Sequence, residues 1–100
     1  MPKLGEAQIE RAVNEYAKSK GCMVKKMQTG LGGTAGWPDR LYHYHGRTWY
    51  IEFKAPGKKP TALQNNRIHE LQTHKICVYV IDDVELGKQV IDYEVRDGHA

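Results

Sequence analysis

The chain has 100 residues, with 15 lysines and arginines against 12 acidic residues and a formal net charge of +3. This length predicts a single domain spanning residues 1–100. We expect no membrane span, because no apolar run approaches about 18 residues, and no secretory signal, because no basic-then-apolar leader is present. Cys22 and Cys77 lie at neither zinc-site nor redox spacing. We therefore expect a reducing, cytoplasmic compartment.

The first predicted element is a helix from about Leu4 to Lys20, followed by Gly21, a residue type favoured just after a helix end. Apolar side chains recur on one face of this helix, and that face comprises Ile9, Val13, Tyr16 and Ala17. Glu6 and Glu10 lie on or beside it. Either glutamate simply favours the helix dipole, or it faces the sheet and contributes to a metal site there.

Cys22 to Met27 predicts a short strand, and a loop with four glycines follows from Gly30 to Gly36. Glycine allows a backbone to approach a phosphate closely, so Gly36 is a candidate DNA contact, although most glycine clusters are only connectors. Pro38 then restricts Trp37 to extended geometry and marks the start of the next strand.

Two further strands meet at a tight turn formed by His45 and Gly46. Alternation predicts a core face made of Tyr42, Tyr44, Trp49, Ile51 and Phe53. Glu52 lies thirteen positions after Asp39, and the turn lies halfway between them. The hairpin is therefore expected to place the two acids opposite each other on the second face, with Cβ atoms about 5 Å apart. Lys54 points to the same face because it lies two residues beyond Glu52.

A basic turn from Ala55 to Pro60 follows the hairpin and contains Lys58 and Lys59, which we expect to contact phosphates. Thr61 to His74 predicts a second helix with Gln64 in its first turn. Its predicted buried anchors are Leu63, Ile68 and Leu71.

Ile76 to Ile81 is an apolar, β-branched run that predicts an interior strand. After it we expect a short helical turn through Leu86 and an edge strand from Val90 to Val95. The order helix, strand, hairpin, helix, strand predicts an α/β fold with a mixed central sheet flanked by helices.

Two opposed carboxylates beside an ammonium group suit phosphodiester hydrolysis, which needs charge neutralisation and a source of hydroxide. Mg²⁺ prefers oxygen ligands and keeps several waters, so Asp39, Glu52 and the Phe53 carbonyl would suffice as protein ligands, and we expect Mn²⁺ to substitute. Lys54 would orient or deprotonate the attacking water, or stabilise the developing charge. The alternative interpretation of Glu52 and Lys54 is an exposed cross-strand salt bridge.

Four motifs occur together in this chain: G-W-P-D, the thirteen-residue step to E-F-K, the turn K-A-P-G-K-K-P and a glutamine in the next helix. This combination resembles the VRR-NUC branch of the PD-(D/E)XK nuclease superfamily, over nearly the whole chain. The resemblance implies a restriction-endonuclease-like αβββαβ core, a divalent cation and cleavage of DNA. It places Asp39, Glu52 and Lys54 at the three motif positions and Gln64 at the helical glutamine.

The same resemblance implies a glutamate from the first helix among the metal and catalytic residues. Glu6 matches the helix-opening pattern of the VRR-NUC family. The run from Glu10-Arg11 to Gly21 is instead similar to archaeal Holliday junction resolvases, and this similarity favours Glu10. Both glutamates remain candidates.

These features predict a metal-dependent, structure-selective DNA endonuclease that acts on branched DNA such as Holliday junctions or flaps, in a bacterial or phage-infected cell and without a small-molecule cofactor. We expect a homodimer, because so small a domain has little surface with which to bind both arms of a branch. Lysines cluster in two tracts, which comprise Lys18, Lys20, Lys25 and Lys26, and Lys54, Lys58 and Lys59. The alternative is a noncatalytic nucleic-acid-binding module that uses these tracts.

Overall fold

The computed structural model describes residues 4–28 and 33–96. Its elements are α1 (Glu6–Ser19), β1 (Met23–Lys26), β2 (Arg40–Tyr44), β3 (Arg47–Phe53), α2 (Ala62–Thr73), β4 (Cys77–Ile81) and α3 (Val84–Val95). The predicted order from α1 to β4 is confirmed. The part of the predicted glycine loop from 30 to 32 lies outside the described residues. No helix in the described part of the chain is long and apolar enough to cross a membrane.

The four strands form one mixed sheet in the order β1-β2-β3-β4, in which β3 and β4 are parallel and the other pairs antiparallel. The predicted hairpin register is confirmed, because Arg40 pairs with Ile51 and Tyr44 pairs with Arg47. The two turn residues, His45 and Gly46, have φ angles of 44° and 86°. Positive φ at both central positions is the geometry that matches the natural twist of a two-residue hairpin.

The hydrophobic core lies on one face of the sheet, beneath α1 and α3. Tyr42 and Trp49 stack there with ring centroids 5.7 Å apart, and the other fully buried members include Ile9, Val13, Ala17, Ile51, Phe53 and Ile91. Helix α2 covers the opposite face with Ile68 and Leu71. Glu52 points to this second face, so the register that buries the aromatic residues also places the acid beneath α2.

Three sequence predictions are corrected. The segment predicted as a helical turn and an edge strand at Val90 to Val95 is one helix, α3. The Asp83 side chain caps this helix by accepting a hydrogen bond from the Leu86 amide at 3.0 Å. Ile91 is buried against α1. Strand β4 lies at the edge of the sheet instead of its interior. Leu63, a predicted anchor, is 42% exposed.

Gly87 allows α3 to pack closely on α1. A Cβ atom at this position would lie 2.4 Å from Val13 Cγ2, well inside van der Waals contact. We expect Gly87→Ala to destabilise the protein by about 1–3 kcal/mol through overpacking, although alanine has the better helix propensity by about 1 kcal/mol. Urea denaturation measures this change, with Gln89→Ala on the exposed side of α3 as the control. A stabilised Gly87→Ala variant would contradict the close packing.

Candidate active site

Asp39 is fixed where β1, β2 and β3 meet. Its Oδ2 accepts a hydrogen bond from the Phe53 amide at 2.8 Å, and its carbonyl accepts one from the Met27 amide at 2.9 Å. Burial raises the pKa of Asp39, the Phe53 amide opposes that rise, and the charge of Glu10 adds to it. The side chain is half-buried and held by β3 at the residue next to Glu52, and its charge acts on Glu52.

Glu52 is 1% exposed, and its two carboxylate oxygens differ in their surroundings. Oε2 accepts a hydrogen bond from Gln64 Nε2 at 2.9 Å and lies 3.4 Å from Lys54 Nζ. Oε1 is buried and has no hydrogen-bond partner. Burial, and next the charge of Asp39, raise the pKa of Glu52 to about 7, while Lys54 opposes the rise. A buried acceptor without a partner is costly unless something else binds it.

Gln64 is positioned by the N-terminus of α2. Thr61 Oγ1 accepts from the Gln64 amide at 3.2 Å, and Gln64 Oε1 accepts from the Thr61 amide at 2.9 Å, which forms a reciprocal capping box. The cap occupies the oxygen of the Gln64 side chain and leaves its nitrogen to donate to Glu52. The helix start therefore orients the carboxylate.

The two glutamates of α1 have different surroundings. Glu10 forms an ion pair and hydrogen bond with Arg40, and each of these side chains is about one-fifth exposed. Glu6 is the first residue of α1, and its pKa is raised by burial and then by the charge of Asp39, while Lys54 opposes the rise. Glu6 thus lies in the electric field of the acidic pair, whereas Glu10 has its own cation.

The donor set fits a hard divalent cation with few protein ligands. Within residues 4–28 and 33–96, no group of three histidine, cysteine, aspartate or glutamate side chains is arranged to hold a metal ion. The pairing of Arg40 with Ile51 brings the adjacent Asp39 and Glu52 to the same end of the hairpin, and the unpartnered Oε1 of Glu52 is a free carboxylate ligand. Mg²⁺ is commonly bound by one or two carboxylates with waters and substrate oxygens. The residues present fit that mode of binding.

The three predicted DNA contacts lie in loops beside this site. Lys58 and Lys59 are exposed in the turn after β3, where the Lys58 amide donates to the Ala55 carbonyl at 2.9 Å. Gly36 has a φ of 79°, and a Cβ there would lie 2.7 Å from Leu63 Cγ. The glycine at 36 is thus explained by its contact with α2.

Arg40 was missed by the sequence analysis. It shares the core face of β2 with Tyr42, and a cation there requires a partner from the covering helix. The alternation of the strand therefore indicates that Arg40 needs an acidic partner from α1, but it does not indicate whether Glu6 or Glu10 is that partner.

Comparisons with known proteins bear on the fold. No protein-family model matches the chain, and no curated protein matches it. One solved structure described as a VRR_NUC domain is similar, with a TM-score of 0.78, 22% identity, and coverage of 88% of this chain and 95% of the other. A second, described as a VRR_NUC domain protein, has a TM-score of 0.76 and 20% identity, and the match covers 96% of this chain and 93% of the other. The chain therefore has the fold of VRR-NUC domain structures, a four-stranded mixed sheet flanked by helices.

Proposed function

We propose that the protein is a metal-dependent DNA endonuclease of the PD-(D/E)XK superfamily with Asp39, Glu52 and Lys54 at its active centre. The observation that carries this proposal is the Glu52 carboxylate, which is buried opposite Asp39 with Oε1 unpartnered and its pKa raised to about 7. The charge of Asp39 contributes to this rise, and a cation bound to both carboxylates would offset their repulsion. The similarity in fold to VRR-NUC domains supports the same conclusion.

Asp39, Glu52 and the Phe53 carbonyl would hold one Mg²⁺ ion, and Mn²⁺ would substitute. Such an ion supplies charge neutralisation for the phosphate and lowers the pKa of water. Gln64 holds the Glu52 carboxylate in place from α2. The Phe53 amide holds that of Asp39 from β3. Both acids are thus oriented by rigid elements before substrate arrives.

Lys54 contributes the catalytic cation. Its Nζ lies 3.4 Å from Glu52 Oε2, and its side chain is 13% exposed. In this position the Lys54 side chain has three candidate roles. As an ammonium group it orients the attacking water or stabilises the charge that develops on the phosphate oxygens, and as a neutral amine it accepts a proton from that water. An ammonium group at an almost dry site interacts more strongly with that charge than it would in water.

We propose branched DNA, such as Holliday junctions or flaps, as the substrate, and a homodimer with two active sites as the assembly. Lys58 and Lys59 contact the phosphates, together with the backbone at Gly36. These contacts fix the register of the DNA without reading its sequence, so little base specificity is expected. The protein acts in the cytoplasm of a bacterial or phage-infected cell.

The proposal is tested by incubating the protein with Mg²⁺ or Mn²⁺ and a panel of duplex, flap and four-way DNA substrates. Metal-dependent products, most abundant from the branched substrates, are the expected result. Absence of product on every substrate would exclude the nuclease. Sedimentation of the protein with and without a junction tests the homodimer.

A noncatalytic nucleic-acid-binding module is the second candidate. It is favoured by the exposed lysines outside the active centre, which suit a polyanionic partner and include Lys25, Lys26, Lys58 and Lys59. Asp39→Ala separates the two functions. Loss of cleavage with retained DNA binding supports the nuclease, whereas a wild type that binds DNA without cutting it supports the binding module.

Glu6 and Glu10 differ in their expected mutant effects. Because Glu6 is exposed and lies in the field of Asp39, we expect Glu6→Gln to slow cleavage by about 10-fold or more with a stability change within about 0.5 kcal/mol. Glu10→Gln removes the charge that compensates the Arg40 guanidinium group, and we expect a loss of about 1–3 kcal/mol in unfolding free energy. Kinetics and urea denaturation of both variants check this, and the reverse pattern would assign the catalytic role to Glu10.

A further inference from the structure

A second concave site, distinct from the acidic pair, lies on the α2 side of the sheet. It is an open pocket of about 410 Å³, and its lining comprises Thr34, Trp37, Arg67, Glu70, Leu71 and His74. None of these residues contributes to the active centre described above. The lining combines an indole ring and an aliphatic side chain with a guanidinium group, a carboxylate, an imidazole and a hydroxyl. Such a mixture suits a flat ligand with an apolar face and polar edges.

The aromatic and cationic groups of this pocket are already held in place. Trp37 packs at right angles to Tyr50, with ring centroids 5.8 Å apart, and the following Pro38 restricts its backbone. Arg67 donates from Nε to the Ala35 carbonyl at 3.1 Å and from Nη1 to Glu70 Oε1 at 3.3 Å. Because these side chains are fixed before a ligand arrives, little entropy is lost when one binds.

The pocket adjoins the active centre. Trp37 lies two residues before Asp39, and extended residues two apart are separated by about 7 Å. Gln64 is the residue of α2 that binds Glu52. Arg67 lies one turn after Gln64 along the helix, and Leu71 lies about 10 Å after Gln64. A nucleotide next to the scissile phosphate spans such a distance.

We propose that this pocket binds one unpaired nucleobase next to the phosphate that is cut. This inference rests on the proposed nuclease function and specifies its substrate as DNA with an unpaired nucleotide at the cleavage site. A base within a duplex is stacked on both faces and cannot enter, whereas an unpaired base is free to stack on Trp37 and to present its polar edge to Glu70, Arg67 and His74.

Tryptophan fluorescence tests the pocket without requiring cleavage. The chain has two tryptophans, Trp37 and Trp49, and Trp49 is fully buried, so a change in emission on binding reports Trp37. We compare a short single-stranded oligonucleotide with one of the same length and charge whose central nucleotides are abasic. The intact strand is expected to quench emission and to bind about 10-fold or more tightly than the abasic strand. Equal quenching and equal affinity, or no binding of either strand, would overturn the pocket.

Cleavage assays separate failure of this inference from failure of the nuclease proposal. On a flap substrate, a single abasic nucleotide next to the cut is expected to slow cleavage about 10-fold in the wild type and to have no effect in Trp37→Ala. Trp37→Phe, which keeps an aromatic ring, is expected to retain most of the discrimination. If the wild type cleaves the abasic and intact substrates at the same rate, the pocket proposal is wrong but the nuclease proposal stands. If the protein cleaves no DNA, the nuclease proposal itself is wrong.

Discussion

Asp39→Asn is expected to lower the rate of DNA cleavage by on the order of 10³-fold, equivalent to about 4 kcal/mol of transition-state stabilisation. The substitution keeps an oxygen that accepts the Phe53 amide, so the junction of the strands is retained. It removes the negative charge that, together with Glu52, would bind the divalent cation. The loss is therefore expected in activity and not in folding.

Single-turnover cleavage at saturating Mg²⁺ measures this effect, and circular dichroism with urea denaturation confirms that the variant is folded. Glu15→Gln is the matched control, because it removes an acid from the exposed side of α1. Cleavage by Asp39→Asn within about threefold of the wild type would remove this residue from the chemistry.

Glu52→Gln is expected to gain stability relative to the wild type as pH rises from 5 to 8 in the absence of divalent cations. The pKa of Glu52 is raised to about 7 in the folded protein from its ordinary value of 4.5. The folded state therefore binds this proton more tightly than the unfolded state does. The stabilisation that results is complete below pH 4.5 and is lost as pH rises through 7.

Glutamine at position 52 does not titrate, so this pH-dependent loss is absent from the variant. At about 1.4 kcal/mol per pKa unit, the difference in unfolding free energy between the two proteins should shift by about 2–3 kcal/mol in favour of Glu52→Gln between pH 5 and pH 8. Urea denaturation in the presence of a chelator measures it. Mg²⁺ should stabilise the wild type at pH 8 and reduce the shift, because it compensates the charge of the ionised pair. A difference that is constant with pH would contradict the account of Glu52.

The hairpin and its opposed acids were predictable because several local signals agreed. Pro38 fixes where the strand begins, His45-Gly46 sets a two-residue turn, and the alternation of aromatic residues allows only one register. That register alone places Asp39 opposite Glu52. The capping pattern at Thr61 likewise locates Gln64 in the first turn of α2.

The remaining differences arise from tertiary packing. Val90 to Val95 contains β-branched residues that favour a strand, but burial of Ile91 and the close approach of Gly87 to Val13 make this segment a helix. An apolar run such as β4 does not reveal whether its strand lies inside the sheet or at its edge. The distinction between Glu6 and Glu10 depends on Arg40, whose position relative to α1 is a property of the fold.

The proposed binding of a divalent cation by Asp39 and Glu52 is tested most directly by growing crystals in Mn²⁺ and calculating an anomalous difference map. We expect one peak between the Asp39 carboxylate and Oε1 of Glu52, and its disappearance in Glu52→Gln. A peak bound elsewhere on the protein, or no peak between these carboxylates at saturating Mn²⁺, would contradict the proposed metal site.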